Sequence, residues 1–292
     1  MRALHRRPPS LPPLWSLHLK PWLGKTRRLH HLRRRCWNAR FRLLRPFRPR
    51  WPGTSPEALP VPPPELRNLV GGEDGCLEIG RLCARRIEET LAGGGVDLAT
   101  LGAVLDFGCG CGRTLRHFTG LPRTRLYGTD FNPALVNWCW WNLPFAEFGL
   151  NGLEPPLDHG REAFDLVYAF SVFTHLPDRL QRAWMDELAR IIKPAGYLAL
   201  STLPESMLPD EAARRRFQAG ELVVVNPDVA GRNACLAFHP PVYLRDTLAT
   251  AFEVAEFIPH GVGQDFWLLR KKPARGGSGA SRAPWSPGRP RS

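Results

Sequence analysis

Between Ala103 and Gly112 the chain reads AVLDFGCGCG, a short apolar run holding one acid and then glycine at three alternate positions. Such a run is a buried strand, and glycines directly after it let the backbone turn tightly and approach a ligand closely. A helix predicted over Arg113–Thr119 would turn its free N–H groups toward the same place. This junction marks a ligand site at the carboxyl ends of the strands in a doubly wound α/β sheet.

The flanking sequence repeats the alternation. A helix is predicted from about Glu73 to Leu91, where Cys76, Ile79, Cys83, Ile87 and Leu91 recur at helical spacing before Gly93-Gly94-Gly95 stops it. A second strand ends at Asp130, and a helix opens with Asn132 as N-cap and Pro133 next. Further strands are predicted over Ala146–Leu150, Phe164–Phe170 and Tyr197–Thr202, with an amphipathic helix over Asp178–Ile192 between the last two. A helix near Val242–Ala251 and strands near Glu253–Pro259 and Asp265–Arg270 complete the pattern. Apolar strands alternating with helices mean a mostly parallel sheet. The last two strands lie too close together for a crossover helix, so an antiparallel hairpin at one edge is expected.

The net charge of +13 belongs to the ends of the chain. Residues 1–54 hold 15 Lys/Arg and residues 271–292 hold six, both without an acid, which leaves 19 basic residues against 27 acids between them. That acidic middle excludes reading the whole chain as a basic nucleic-acid-binding domain. Three parts are expected: a disordered basic Pro/Arg-rich arm over 1–64, one domain over 65–270, and a disordered basic tail over 271–292. Leu29, Leu32, Cys36 and Leu43 sit at loosely helical spacing in the arm. They allow a basic amphipathic segment touching anionic lipid or RNA, beside a plain solvated tail. No apolar window of about 18 residues is present to span a membrane. The seven cysteines contain no C-x-x-C pair, so no metal or thioredoxin site is expected, and reduced thiols suit a cytoplasmic protein.

Two details bear on the ligand of the glycine loop. The spacing is G-x-G-x-G, without the G-x-x-G step of NAD enzymes, and Asp106 precedes Gly108 by two positions. A carboxylate there repels a pyrophosphate and favours a ligand carrying an ammonium and a sulfonium, which points to S-adenosylmethionine (SAM). Asp130 ends the second strand, where an acid can accept hydrogen bonds from both hydroxyls of a ribose. That role would serve NAD equally.

The runs VLDFGCGCGRTLRHF, LYGTDFNPALVNWCWWN, FDLVYAFSVFTHLP and IIKPAGYLALST, in this order, resemble the class I SAM-dependent methyltransferases over about Gly72–Arg270. The likeness is nearest to bacterial small-molecule and glycan-type members. It implies a Rossmann-like, seven-stranded sheet of order 3-2-1-4-5-7-6 with the last strand antiparallel. It also implies that Gly108, Gly110 and Gly112 lie against the methionine part of the cofactor, with Asp106 reaching its amino group. Asp130 would hold the ribose and Phe131 would lie against the adenine. Asn151, with Gly152 and Leu153, would contact the adenine edge, where Asp is commoner. Phe170 and Ser171 would line the cofactor and face the acceptor. IKPAG departs from the usual KPGG by one alanine, expected to be harmless in a turn.

Other residues carry two readings each. His175, just past the fourth strand, is a candidate general base for an acceptor hydroxyl, or a cap for the next helix. The stretch Leu203–Pro240 is more than a simple sheet needs and is expected to cover the acceptor pocket. Glu205, His239 and Tyr243 are its candidate substrate contacts, or structural caps. Gly80 marks a close approach to the cofactor or to a packing partner. Trp138, Trp140 and Trp141 point different ways from one helix, so packing is expected for most of them. The reading is a SAM-dependent methyltransferase in which an O or N of a small-molecule or glycan acceptor attacks the sulfonium methyl directly. RNA methylation through the basic arm, a non-catalytic SAM-binding scaffold and an NAD-dependent oxidoreductase are the alternatives. AFSVFTHLP lacks the N/D-P-P-Y/F pattern of amino-methylating nucleic-acid enzymes.

Overall fold

The structure, a computed structural model, describes residues 27–48, 55–71 and 75–273. Its strands are β1 (Ala103–Phe107), β2 (Arg125–Asp130), β3 (Glu147–Leu150), β4 (Phe164–Ala169), β5 (Ile192–Thr202), β6 (Val223–Val225), β7 (Leu236–Phe238), β8 (Phe252–Ile258) and β9 (Asp265–Lys271). Its helices are α1 (Arg27–Leu44), α2 (Pro64–Arg67), α3 (Cys76–Gly93), α4 (Pro133–Asn142), α5 (Asp178–Ile191), α6 (Glu211–Gln218) and α7 (Pro241–Tyr243). The main sheet runs β3-β2-β1-β4-β5-β9-β8, and β6 pairs with β7 in a separate ribbon. The first five strands of that order are parallel, while β9 is antiparallel to both β5 and β8. With the small ribbon set aside, this is the expected order with its edge hairpin.

Every residue of β1 is buried, as a central parallel strand requires. Its alternation divides the core. Ala103, Leu105 and Phe107 join Leu180, Trp184 and Leu188 of α5 on one face of the sheet. Val104 joins Cys83, Ile87 and Leu91 of α3 and Trp140 of α4 on the other. Asp106 shares the face of Val104, so a carboxylate stands where a core strand would otherwise place an apolar residue.

Four expectations are corrected. Arg113–Thr119 is a set of turns with one 3-10 segment, Leu115–Phe118, and not an α-helix. Its arginine side chains are drawn to carbonyls of other segments. Arg113 Nη1 donates to the Val70 carbonyl at 2.7 Å, and Arg116 Nη2 to those of Leu59 and Pro56 at 2.9 and 3.0 Å. Secondly, part of the basic arm is ordered. Phe41 of α1 stacks on Trp140 at 5.0 Å, and Arg34 pairs with Asp158 at 3.1 Å. Arg48 donates to the carbonyls of Trp140, Leu143 and Ala146 at the end of α4, and Leu59 is buried. Those contacts outweigh the composition of the segment. Residues 1–26 and 49–54 of the arm, 274–292 of the tail, and the expected helix start at Glu73 lie outside the described residues.

Thirdly, the helix near Val242–Ala251 is one turn, α7, that widens into a π turn over Leu244–Leu248. Lastly, Ile192 already pairs with Phe164, and the KPAG turn is a bulge inside β5 in which Ala195 has φ 60°. An L-residue in that left-handed conformation costs roughly 1 kcal/mol, so the alanine is not harmless.

Candidate active site

The loop after β1 combines left-handed backbone with close packing at its glycines. Gly108 and Gly110 have φ of 78° and 54°. A Cβ would lie 2.3 Å from Val172 Cγ2 at Gly108 and 2.6 Å from Val70 Cγ1 at Gly110. Gly80, inside α3, admits the loop itself, since a Cβ there would sit 2.1 Å from the Arg113 carbonyl oxygen. It therefore serves packing. Gly112, with φ 71°, packs on the other side, where a Cβ would lie 2.4 Å from Leu143 Cδ1.

Four N–H groups of the loop bond within the protein. Gly108 and Cys109 both donate to the Thr129 carbonyl, at 2.8 and 2.9 Å. Gly110 donates to Asp130 Oδ2 at 2.9 Å and Gly112 to the Cys109 carbonyl at 2.8 Å. A pyrophosphate bound in this place is usually held at an α-helix N-terminus, and none follows the loop, where only the 3-10 segment Leu115–Phe118 forms. The geometry disfavours a dinucleotide.

Acids and an orphaned acceptor fill the same place. Asp106 is 4% exposed, and burial pushes its carboxyl up to about 8, against the lowering effect of the Tyr168 hydroxyl and the Arg113 guanidinium. Burial likewise raises Asp130 to about 6, although backbone N–H groups of Asn132 and Gly110 hold its oxygens. Two poorly solvated carboxyls favour a cationic ligand. Asn151 donates through Nδ2 to the Gly152 carbonyl at 2.7 Å, while its buried Oδ1 has no hydrogen-bond partner. A buried acceptor left open in this way suits an adenine amino group. These residues fit SAM: Asp106, Asp130 and Asn151 would meet its ammonium, ribose and adenine in turn.

A cavity of about 2060 Å³ contains them. Sites for single small ligands are commonly about 300–1,000 Å³, so there is room for a cofactor and a sizeable acceptor. Asp106, Gly108, Gly110, Asp130, Phe131, Asn151, Gly152, Leu153, Phe170, Ser171 and His175 all line it. Trp184 of α5 fixes one wall by donating from Nε1 to the Leu153 carbonyl at 2.9 Å. Trp138 and Trp141 line the cavity, and Trp140 packs on Phe41.

At the far wall, His175 Nδ1 lies 2.8 Å from the Cys235 carbonyl. A carbonyl only accepts, so Nδ1 carries the proton and Nε2 keeps its lone pair. Burial lowers the basicity of the ring, opposed in part by that carbonyl, so the imidazole is neutral near pH 7. Ser171 has φ 55°, held by donation of its N–H to Ser201 Oγ at 2.9 Å. Gln264 Oε1 accepts from Ser201 Oγ at 2.7 Å and from Ser171 Oγ at 3.2 Å. Its carboxamide is thereby oriented with the Nε2 donors directed elsewhere, and the residue lines the cavity.

The stretch Leu203–Pro240 forms a small lobe around Leu203, Phe217 and Phe238, and Met207, Gly231, Arg232 and Asn233 from it reach the cavity wall. His239, Tyr243 and Glu205 do not, which corrects their expected substrate contacts. His239 is buried with Nε2 2.7 Å from Gln181 Oε1, and burial holds its pKa at about 3. Tyr243 donates to Asp178 and accepts from Arg182. Glu205 accepts from Gln218 Nε2 at 2.8 Å. They tie the lobe to α5 or to α6. Sequence reasoning does not single out Gln264, Ser201 or Trp184 as site residues: Ser201 lies inside the IIKPAGYLALST run, Trp184 on an amphipathic helix and Gln264 in the tight β8–β9 connection.

The methyltransferase domain family matches residues 78–258, more than half of the chain. A probable chloroplastic tocopherol O-methyltransferase of Oryza sativa subsp. japonica is 30% identical over 126 residues, covering 37% of this chain and 33% of that protein. The chain thus spans about a third of the length of this curated relative. Among solved structures, DesVI of Streptomyces venezuelae aligns over 74% of this chain and 100% of its own, at 18% identity and a TM-score of 0.48. The N-methyltransferase NodS of Bradyrhizobium japonicum, in complex with S-adenosylhomocysteine, aligns over 71% and 96%, at 16% identity and a TM-score of 0.45.

Proposed function

The chain belongs to the methyltransferase domain family, and we propose that it is a SAM-dependent methyltransferase that methylates an oxygen of a largely apolar small molecule. The observation that carries this reading is the His175–Cys235 hydrogen bond at 2.8 Å. It fixes a neutral imidazole whose Nε2 can accept the proton of an acceptor hydroxyl. Gln264 adds N–H donors suited to an oxygen lone pair and would orient the hydroxyl. When bound, SAM supplies a methyl on a sulfonium. Leu66, Leu69, Val70, Ile79 and Leu82 on the cavity wall would exclude water and take the apolar body of the acceptor. The printed name of the rice relative, an O-methyltransferase of tocopherol, supports the oxygen and the small-molecule class. A sugar hydroxyl is the second reading, favoured by Trp138 and Trp141 on the wall.

Methyl transfer from tritiated SAM into an extract of the source cell tests this, with Asp130→Ala as the control. Label in the lipid or small-molecule fraction, absent in the control, is expected. Label in the glycan fraction would favour the second reading. Label confined to RNA or protein would overturn both.

A further inference from the structure

The outer face of α1 is apolar and uncovered. Leu32, Cys36, Ala39 and Leu43 follow one another at steps of four, three and four, which places them on one side of the helix. All four are exposed, and Phe47 in the following 3-10 turn extends the row. Leu43 and Phe47 are 77% and 73% exposed. The opposite face is occupied by the domain through Arg34, Trp37 and Phe41. Exposed Arg35 stands on one flank of the outer row; Arg40, on the other, turns its guanidinium over Trp37 and donates to Asn137 at 3.3 Å, and α1 contains no acid.

We propose that α1 lies along an anionic lipid bilayer, with its outer row in the headgroup region and Arg35 on the lipid phosphates. Both halves of the feature are then used. A helix with an apolar strip, a basic border and low overall hydrophobicity lies in the plane of a bilayer interface. The 15 Lys/Arg and absent acids of residues 1–54 add attraction to the same surface. An RNA would satisfy the arginines and leave Leu32, Leu43 and Phe47 in water, so the bilayer fits better. Trp37, Arg40 and Leu44 of the same helix line the cavity, so a docked α1 brings the cavity wall to the membrane surface. The inference goes beyond the methyl-transfer reading and does not depend on it.

Flotation of the full chain with vesicles of phosphatidylcholine alone, and of phosphatidylcholine with phosphatidylglycerol, tests it at low and high salt. The chain is expected to float with the anionic vesicles, less so at high salt. A Leu43→Asp, Phe47→Asp variant is expected to bind them more than about tenfold more weakly. Its thermal melt should match that of the native chain, because both side chains stand in solvent. Equal flotation of variant and native chain would overturn the role of the stripe. So would binding to an RNA oligomer but to neither vesicle. Concentration-dependent dimers that the variant abolishes, without vesicle binding, would assign the stripe to a second copy instead. The assay contains no cofactor, so cofactor binding and methyl transfer can stand or fall separately.

Discussion

The two ends of the cavity are held together in different ways. At the cofactor end, the glycine loop bonds to the adjoining end of β2, so the contacts lie about 20 residues apart and follow strand order. At the acceptor end, His175 leans on Cys235 and Ser171 on Gln264, partners 60 and 93 residues away. Local backbone geometry makes the first end; the packing of separate segments makes the second. Damage at the cofactor end should therefore abolish binding. At the acceptor end it should divide into loss of chemistry and loss of stability.

The largest effect is expected from Gly110→Ala or Asp130→Ala. The first drives a Cβ into Val70, and the second removes the carboxylate that pins Gly110. Calorimetry should show binding of S-adenosylhomocysteine weakened at least about a hundredfold in either, since buried charge-assisted bonds are lost. Retained affinity would mean that the loop is not what shapes the site.

His175→Gln should lower turnover by about 10²–10⁴, the usual contribution of a general base, while cofactor affinity holds. In the native enzyme the acid limb of the turnover–pH profile should fall below the ordinary histidine range, because burial lowers the pKa of His175 and only the neutral ring accepts a proton. Unchanged turnover would reduce His175 to a tie for the lobe.

His239→Ala should act on stability alone. It leaves Gln181 Oε1 without its donor deep in the core and should cost about 1–3 kcal/mol in chemical denaturation, with KM unchanged. A raised KM at native stability would return His239 to the acceptor end. The smallest effect is expected from Ala195→Gly, which should stabilise the chain by about 0.5–1 kcal/mol by removing the left-handed alanine.

The same contrast explains what could be read from sequence. β1, the glycine loop and Asp130 carry their own signals, because strand period and glycine spacing are local. His239 and Tyr243 looked like substrate contacts because polar residues near an extra segment resemble a site. Their partners on α5 become visible only when the lobe is folded. Gln264 had no signal, since its role depends on two serines brought together by β4, β5 and the β8–β9 turn. The ordered α1 was hidden by arginine and proline, which say how a free segment behaves and not what a docked one can bury.

The most direct test of the cofactor site is the proton count on binding. Asp106 is raised to about 8 by burial, so in the free protein at pH 7 it holds a proton, and an incoming ammonium favours its ionised form. Binding of S-adenosylhomocysteine at pH 7, titrated in two buffers of different ionisation enthalpy, should release about one proton, and affinity should rise with pH toward about 8. Asp106→Asn should release almost none. Equal proton release in both proteins, or tighter binding of NAD than of S-adenosylhomocysteine, would contradict the site described.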